Sequence, residues 1–267
     1  MSDHRARKRF GQHFLVDQQL IDRLVRAIDP RDDATIVEIG PGQGALTRPL
    51  LDVIRHLHVV ELDRDLIAGL ERTIVPERLT IHAGDALKFD FRSISDAPRS
   101  LRVVGNLPYN ISTPILFHLI DQIEVIRDMY FMLQKEVVDR LTAVPGNRDW
   151  GRLSIMLQYH CRAEFLVPVP PGAFRPPPRV DSAVVRLVPH ETLPHPVSDY
   201  RLFGRMVTQA FTQRRKAIRN GLKSWLTAEA ISAAGVDPGL RPDALGLDAF
   251  AALANAAAAN QPDTGDT

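Results

Sequence analysis

A single cysteine, Cys161, is all the thiol in the chain. This excludes an internal disulfide framework and a thiolate metal cluster. Cys161 itself reads as a small apolar residue in a strand, and no metal site is expected. No apolar run approaches the roughly 18–20 residues that span a bilayer. The basic N-terminus lacks the apolar segment of a signal peptide, so the expected compartment is the cytoplasm. Internal repeats are absent. Acidic residues are missing from one long stretch: residues 200–225 hold seven Lys/Arg and no Asp or Glu. Residues 1–10 hold four basic residues against Asp3, yet the net charge of the whole chain is only +1, which leaves −9 on everything else. Two basic patches on an acidic body point to a polyanionic partner.

What is present has the composition of an ordinary soluble globular protein, 45% hydrophobic and 24% charged over 267 residues. That length suffices for one large domain, a smaller one and a sizeable core. Residues 17–28 set Leu20, Ile21, Leu24, Val25 and Ile28 on one helical stripe, with Asp17 as N-cap. An alternation then begins. Apolar runs at 35–39, 58–62, 79–84, 101–105 and 129–134 read as strands. The segments 46–53, 63–74, 112–122 and 135–143 read as helices, the second capped by Asp63. This rhythm predicts a parallel sheet covered on both faces. After residue 150 it changes. Residues 163–169 and 182–188 read as strands with no room between them for a full crossover helix, which predicts an antiparallel pair at one sheet edge. The loop joining them (168–181) carries six prolines and one aromatic, Phe174. Residues 189–196 read as a linker, and the remainder as helical, with a polar tail at 261–267 expected to be disordered. The expected domains are therefore 1–189, an α/β sheet domain, and 190–267, all helical with a basic face.

The chemistry gathers at strand ends. Gly40, Gly42 and Gly44 follow the first strand of the alternation, where they permit a tight turn and close approach of a ligand to the backbone. Glu61 ends the next strand, 21 positions after Gly40, where a carboxylate can accept from both hydroxyls of a ribose. Asp85 follows the third and could accept from the exocyclic amine of an adenine. Ligand-type residues at three successive parallel strand ends imply an adenosine-containing cofactor. The spacing G-x-G-x-G is not the dinucleotide G-x-G-x-x-G, which favours S-adenosylmethionine over NAD without deciding between them.

The fourth strand of the alternation delivers Asn106-Leu107-Pro108-Tyr109. An exocyclic adenine amine is a poor nucleophile because its lone pair is delocalised into the ring. Two oxygens accepting its hydrogens would favour a pyramidal, attacking nitrogen. The Asn106 side chain offers one and the Leu107 carbonyl the other, with Pro108 holding Leu107 extended. Tyr109 can stack on the base and hold it out of its strand. Phe174 is the candidate for the other face of the base, a core plug being the equal alternative.

The segments GQHFLVD (11–17), VEIGPGQGALT (37–47), ELD (61–63), GDAL (84–87), NLPYNISTPILF (106–117), MLQKEVVDRL (132–141), VPPGAFRPPPRVDSAVV and FTQRRKAIRNGL (211–222) occur in one order. Together they closely resemble the small-subunit ribosomal RNA adenine dimethyltransferase family, from about residue 8 to 250. The resemblance implies a class I (Rossmann-like) methyltransferase sheet with a small helical C-terminal domain. It implies dimethylation of N6 on two adjacent adenosines near the 3′ end of 16S rRNA, in an assembling small subunit, using S-adenosylmethionine. It further implies that His13, Leu15, Gly40, Glu61, Asp85 and Asn106 contact the cofactor, and that Asn106, Leu107, Pro108, Tyr109 and Phe174 form the target-base site. Two positions depart from the family pattern: His13 stands where many relatives have Asn, and Trp150 where Tyr is common.

Three alternatives stay open. Large-subunit methyltransferases of the macrolide-resistance type share the fold and the N-x-P-Y logic, but usually carry a different opening motif and Ile after the Asn. An assembly or transcription factor could keep the fold without catalysis, and a DNA adenine methyltransferase could share the chemistry. In the basic stretch, Arg214, Arg215, Lys216 and Arg219 are expected to touch phosphates rather than read sequence. The N-terminal arm is expected to order on binding RNA or cofactor. No feature calls for an obligate oligomer, and a monomer is expected.

Overall fold

Alternating apolar runs and amphipathic segments can bury their apolar sides only by stacking helices on a sheet. The computed structural model, which describes residues 13–260, shows that arrangement. The basic arm, Gly11 and the polar tail lie outside the described residues. The chain divides into two compact units, one of residues 13–138 with 162–189, the other of 139–161 with 190–260. Residues 139–161 thus group with the second unit, although in chain order they precede the return to the sheet.

Seven strands, all but Cys161 within the first unit, form one sheet: β2 (Thr35–Ile39), β3 (Leu57–Glu61), β4 (Leu79–Ala83), β5 (Leu101–Asn106), β6 (Ile126–Gln134), β7 (Cys161–Val169) and β9 (Ser182–Pro189). Their order is β4-β3-β2-β5-β6-β9-β7. The pairs β2–β3, β3–β4, β2–β5 and β5–β6 are parallel and β6–β9 is antiparallel. The later strand β9 is inserted between β6 and β7, so β7 forms the edge. Cys161 is buried at the start of β7, and burial pushes its thiol up to about 12. A separate two-residue ladder joins β1 (Phe14–Leu15) to β8 (Phe174–Arg175), with Leu15 opposite Phe174. Sequence reading gave no hint of it.

Helix α1 (Gln18–Ile28) buries Leu20, Ile21, Leu24 and Ile28, and Asp17 caps it by accepting from Leu20 N–H. The crossovers carry α2 (Thr47–Leu51), α3 (Arg64–Glu71), capped by Asp63, and α4 (Ser112–Ile120). A buried ion pair ties α1 to the sheet. Arg102 on β5 meets the Asp128 carboxylate on β6 through Nε and Nη2 at 2.7 and 2.8 Å, and its Nη1 donates to the Ile28 and Asp29 carbonyls at the end of α1. Asp29 ends that helix in the left-handed region, with φ 47°.

Helix α5 (Lys135–Leu141) leads into the second unit, which holds α6 (Arg152–Gln158), α7 (Tyr200–Thr212), α8 (Ile218–Gly221), α9 (Ala228–Ala233) and α10 (Leu247–Ala259). Asp199 caps α7, and Leu202, Phe203, Met206, Val207 and Ala210 form its buried stripe. Phe211 stacks on Phe250 of α10, their ring centroids 5.8 Å apart. Trp150 is buried and its indole N–H donates to the Leu245 carbonyl at 2.9 Å. Its position is therefore a packing position. Among the described residues no helix is long and apolar enough to cross a membrane.

Candidate active site

Strand order reverses between β2 and β5: β3 and β4 build outward on one side, β6 on the other. Open α/β sheets bind ligands at the carboxyl ends of strands flanking such a point. A cavity of about 270 Å³ opens there. The chain leaving β2 turns through Gly40, Gly42 and Gly44, all at positive φ (66°, 57° and 83°), a conformation that L side chains rarely adopt. A β-carbon at Gly42 would also lie 3.3 Å from the Phe14 ring. The end of β5 is equally bare, since a β-carbon at Gly105 would come within 2.6 Å of the Ile39 carbonyl oxygen.

Glu61 closes β3 beside this turn. Its Oε1 accepts from Leu62 and Asp63 N–H at 2.8 and 2.9 Å, and its Oε2 from Gly42 N–H at 3.3 Å. Burial raises its pKa above the ordinary carboxylate value, against the pull of those three donors. Asp85 lines the cavity after β4, its Oδ1 accepting from Leu87 N–H at 3.0 Å.

At the end of β5, Asn106 Nδ2 donates to the His13 carbonyl at 3.0 Å. The amide is thereby oriented, and Oδ1 is left as its acceptor. The Pro108 carbonyl is engaged by Ile111 N–H and Ser112 Oγ, whereas the Leu107 carbonyl takes no such bond among the described residues. The Tyr109 hydroxyl lies 2.6 Å from Ser182 Oγ at the start of β9, and its ring stacks on His13. Burial holds its phenol above the usual range, so it remains neutral.

The chain matches the model of the ribosomal RNA adenine dimethylase family over residues 3–257. It belongs to that family. A ribosomal RNA small subunit methyltransferase A of Alcanivorax borkumensis is 65% identical over 255 residues, 96% of this chain and 91% of the relative. A crystal structure of a dimethyladenosine transferase from Plasmodium falciparum has a TM-score of 0.78 at 24% identity, over 90% of this chain and 96% of that one. The 23S rRNA methyltransferase ErmE has a TM-score of 0.73 at 26% identity, over 91% and 98%. The fold is that of a class I methyltransferase, as the motifs imply, and the protein is an enzyme of that class.

The cavity of this family member brings together His13, Leu15, Gly40, Gly42, Glu61, Asp85 and Asn106 with Leu107, Pro108 and Tyr109. Phe174 is not on its wall. The Phe174 ring is fully buried in the core, beside its cross-strand partner Leu15. In the second unit the basic residues do not share one helix: α7 ends at Thr212, and Arg214, Arg215 and Lys216 lie in the turn before α8, which carries Arg219. Arg214 pairs with Asp243 at 3.5 Å and donates to the Arg148 carbonyl, whereas Arg215, Lys216 and Arg219 are exposed.

Sequence reading missed Glu38. This residue sits inside β2, is 2% exposed and lines the cavity, with Thr47 Oγ1 donating to it at 2.7 Å. The signal was a lone acid within a five-residue apolar strand. Burial pushes its carboxyl up to about 7, with the Thr47 hydrogen bond opposing and the Glu61 charge reinforcing. The consequence for stability follows from linkage. Below its ordinary value of 4.5, Glu38 is protonated folded and unfolded alike. Between there and about 7 the unfolded chain ionises while the folded one keeps its proton. Stability of the cofactor-free protein should therefore fall by roughly 3 kcal/mol as pH rises through this window, then level off. Urea melts at successive pH values should show this slope flattened in Glu38→Gln; an identical slope would mean that Glu38 is already ionised in the fold.

Proposed function

We propose that the protein dimethylates N6 of two adjacent adenosines near the 3′ end of 16S rRNA in the assembling small ribosomal subunit, with S-adenosylmethionine as methyl donor. One observation carries the choice of cofactor. The cavity is lined by the acids Glu61, Asp63 and Asp85, besides the buried Glu38 that keeps its proton to about pH 7, and by no Lys or Arg among the described residues. The pyrophosphate of NAD would be repelled there, whereas a cationic sulfonium compound is attracted. The glycine turn leaves its backbone open to a ligand, and Glu61 and Asp85 stand at adjacent strand ends for ribose and adenine. The residues present thus fit the cofactor.

When bound, S-adenosylmethionine supplies an electrophilic methyl group. The chain's own work is positioning. In the first transfer Asn106 Oδ1 and the Leu107 carbonyl accept the two N6 hydrogens, and in the second one of them accepts the single hydrogen that remains. This draws the lone pair out of conjugation and aims it at the methyl carbon, and each transfer releases one N6 proton to solvent. Tyr109 stacks on the extruded base, its neutral hydroxyl pinned by Ser182. The substrate assignment is supported by the small-subunit relative and by Leu107 in the position where large-subunit enzymes usually carry Ile. A cytoplasmic monomer acting on RNA within a particle is consistent with this reading.

The test offers labelled S-adenosylmethionine with undermethylated small subunits, free 16S rRNA, 23S rRNA or DNA. N6,N6-Dimethyladenosine on the small subunit is the expected result. Transfer to 23S rRNA or DNA alone, or to nothing, would overturn the assignment. Residues Arg215, Lys216 and Arg219 are assigned to phosphate contacts, with Arg214 bracing the turn. Reversing the three exposed charges should flatten the log–log salt dependence of subunit binding by about 2–3; an unchanged slope would move the RNA contact elsewhere.

A further inference from the structure

Within the proposed base site, His13 does more than border the cofactor. Three of its groups reach three different parts of the clamp. Its backbone carbonyl takes the Asn106 amide hydrogen at 3.0 Å. Its Nδ1 lies 2.7 Å from the Pro176 carbonyl oxygen, which can only accept, so Nδ1 carries the hydrogen. Its ring lies against Tyr109 with centroids 5.7 Å apart and planes 28° from parallel. Strand β1 begins at the next residue and fixes the local backbone through its ladder with β8. Tyr109 is therefore held at its hydroxyl by Ser182 and covered on one ring face by His13. A base can stack only on the opposite face.

We propose that His13 is a positioning residue for methyl transfer, backing Tyr109 so that the target adenine has one seat, and tying the N-terminal strand to the proline-rich loop through Pro176. The inference rests on the base-site reading above and deepens it. The family resemblance implies only a cofactor contact at this position. An Asn there would keep the backbone carbonyl and lose the ring, so the two roles come apart experimentally.

The test compares wild type, His13→Asn and His13→Phe. Loss of the ring should lower kcat on undermethylated small subunits about tenfold, the worth of one aromatic contact, with the KM for S-adenosylmethionine within about twofold. His13→Phe restores a flat ring and should recover most of kcat. Independently of activity, the ring resonances of ¹³C-labelled Tyr109, assigned with Tyr109→Phe, should shift in His13→Asn and return towards wild type in His13→Phe. A raised cofactor KM with unchanged kcat in His13→Asn, or Tyr109 resonances that do not move, would overturn the proposal. If wild type transfers no methyl group to any RNA, the functional reading fails, and the resonances alone decide whether His13 backs Tyr109.

Discussion

Asn106→Ala is expected to lower methyl transfer by about 10³-fold under single-turnover conditions at saturating cofactor, by analogy with removing one preorganised polar group from a transition-state site. The side chain holds two positions at once. Its Nδ2 is committed to the His13 carbonyl, which leaves Oδ1 as the acceptor that the proposed reading assigns to the incoming amine. Alanine removes the acceptor and frees the His13 carbonyl. Asn106 is only half-buried at a strand end, and its backbone pairing to Met132 on β6 does not depend on the side chain. Stability should therefore change by less than about 1 kcal/mol. Full activity in the variant would show that N6 is activated elsewhere, and a collapsed fold would show that Asn106 is a structural residue.

The largest effect on stability should come from Asp128→Ala. Its carboxylate neutralises a guanidinium that is almost wholly enclosed, the side chains of Arg102 and Asp128 being 8% and 4% exposed. Removing one partner strands a buried charge, which costs about 3–5 kcal/mol. Arg102 also holds the last carbonyls of α1, and Leu24, Ala27 and Ile28 of that helix line the cavity. The loss should thus be felt as looser cofactor binding as well as a lower urea midpoint. The double variant Arg102→Met with Asp128→Leu, which removes both charges, should recover much of the stability. A single variant within about 1 kcal/mol of wild type would show that water reaches the pair.

Local pattern carried the fold further than it carried the site's supports. The strand read at 35–39 is Thr35–Ile39, and that at 101–105 gains only Asn106, because short apolar runs between turn residues have few other ways to be buried. The caps Asp17 and Asp63 were legible for the same local reason. The place of β9 was also written in the chain, in composition more than in order. Its run is nearly all apolar, as a central strand must be, while Arg162, Glu164 and Pro168 suit β7 to an edge. Other features had no local mark. The β1–β8 ladder is two residues long and joins segments about 160 positions apart, too short for any period to appear. Arg102 and Asp128 look like ordinary surface charges until β5 and β6 are paired. Phe174 could be read as a clamp or a plug from sequence, and only its complete burial in the core cluster, opposite Leu15, shows where the ring lies in this structure.

The insertion of β9 between β6 and β7 has a consequence for synthesis. The cofactor wall, from Gly40 to Asn106, is made early, and its strands β2 to β6 pair in parallel among themselves. The partners that complete the base clamp emerge much later: Phe174 and Arg175 for β1, Pro176 for His13, Ser182 for Tyr109. A nascent chain halted before residue 174 therefore carries every cofactor-side residue named here and none of these late partners of the clamp. In the proposed reading, the residues assigned to the methyl donor thus precede in the chain the partners assigned to the base, and the set is complete only once β9 has been made and paired with β6.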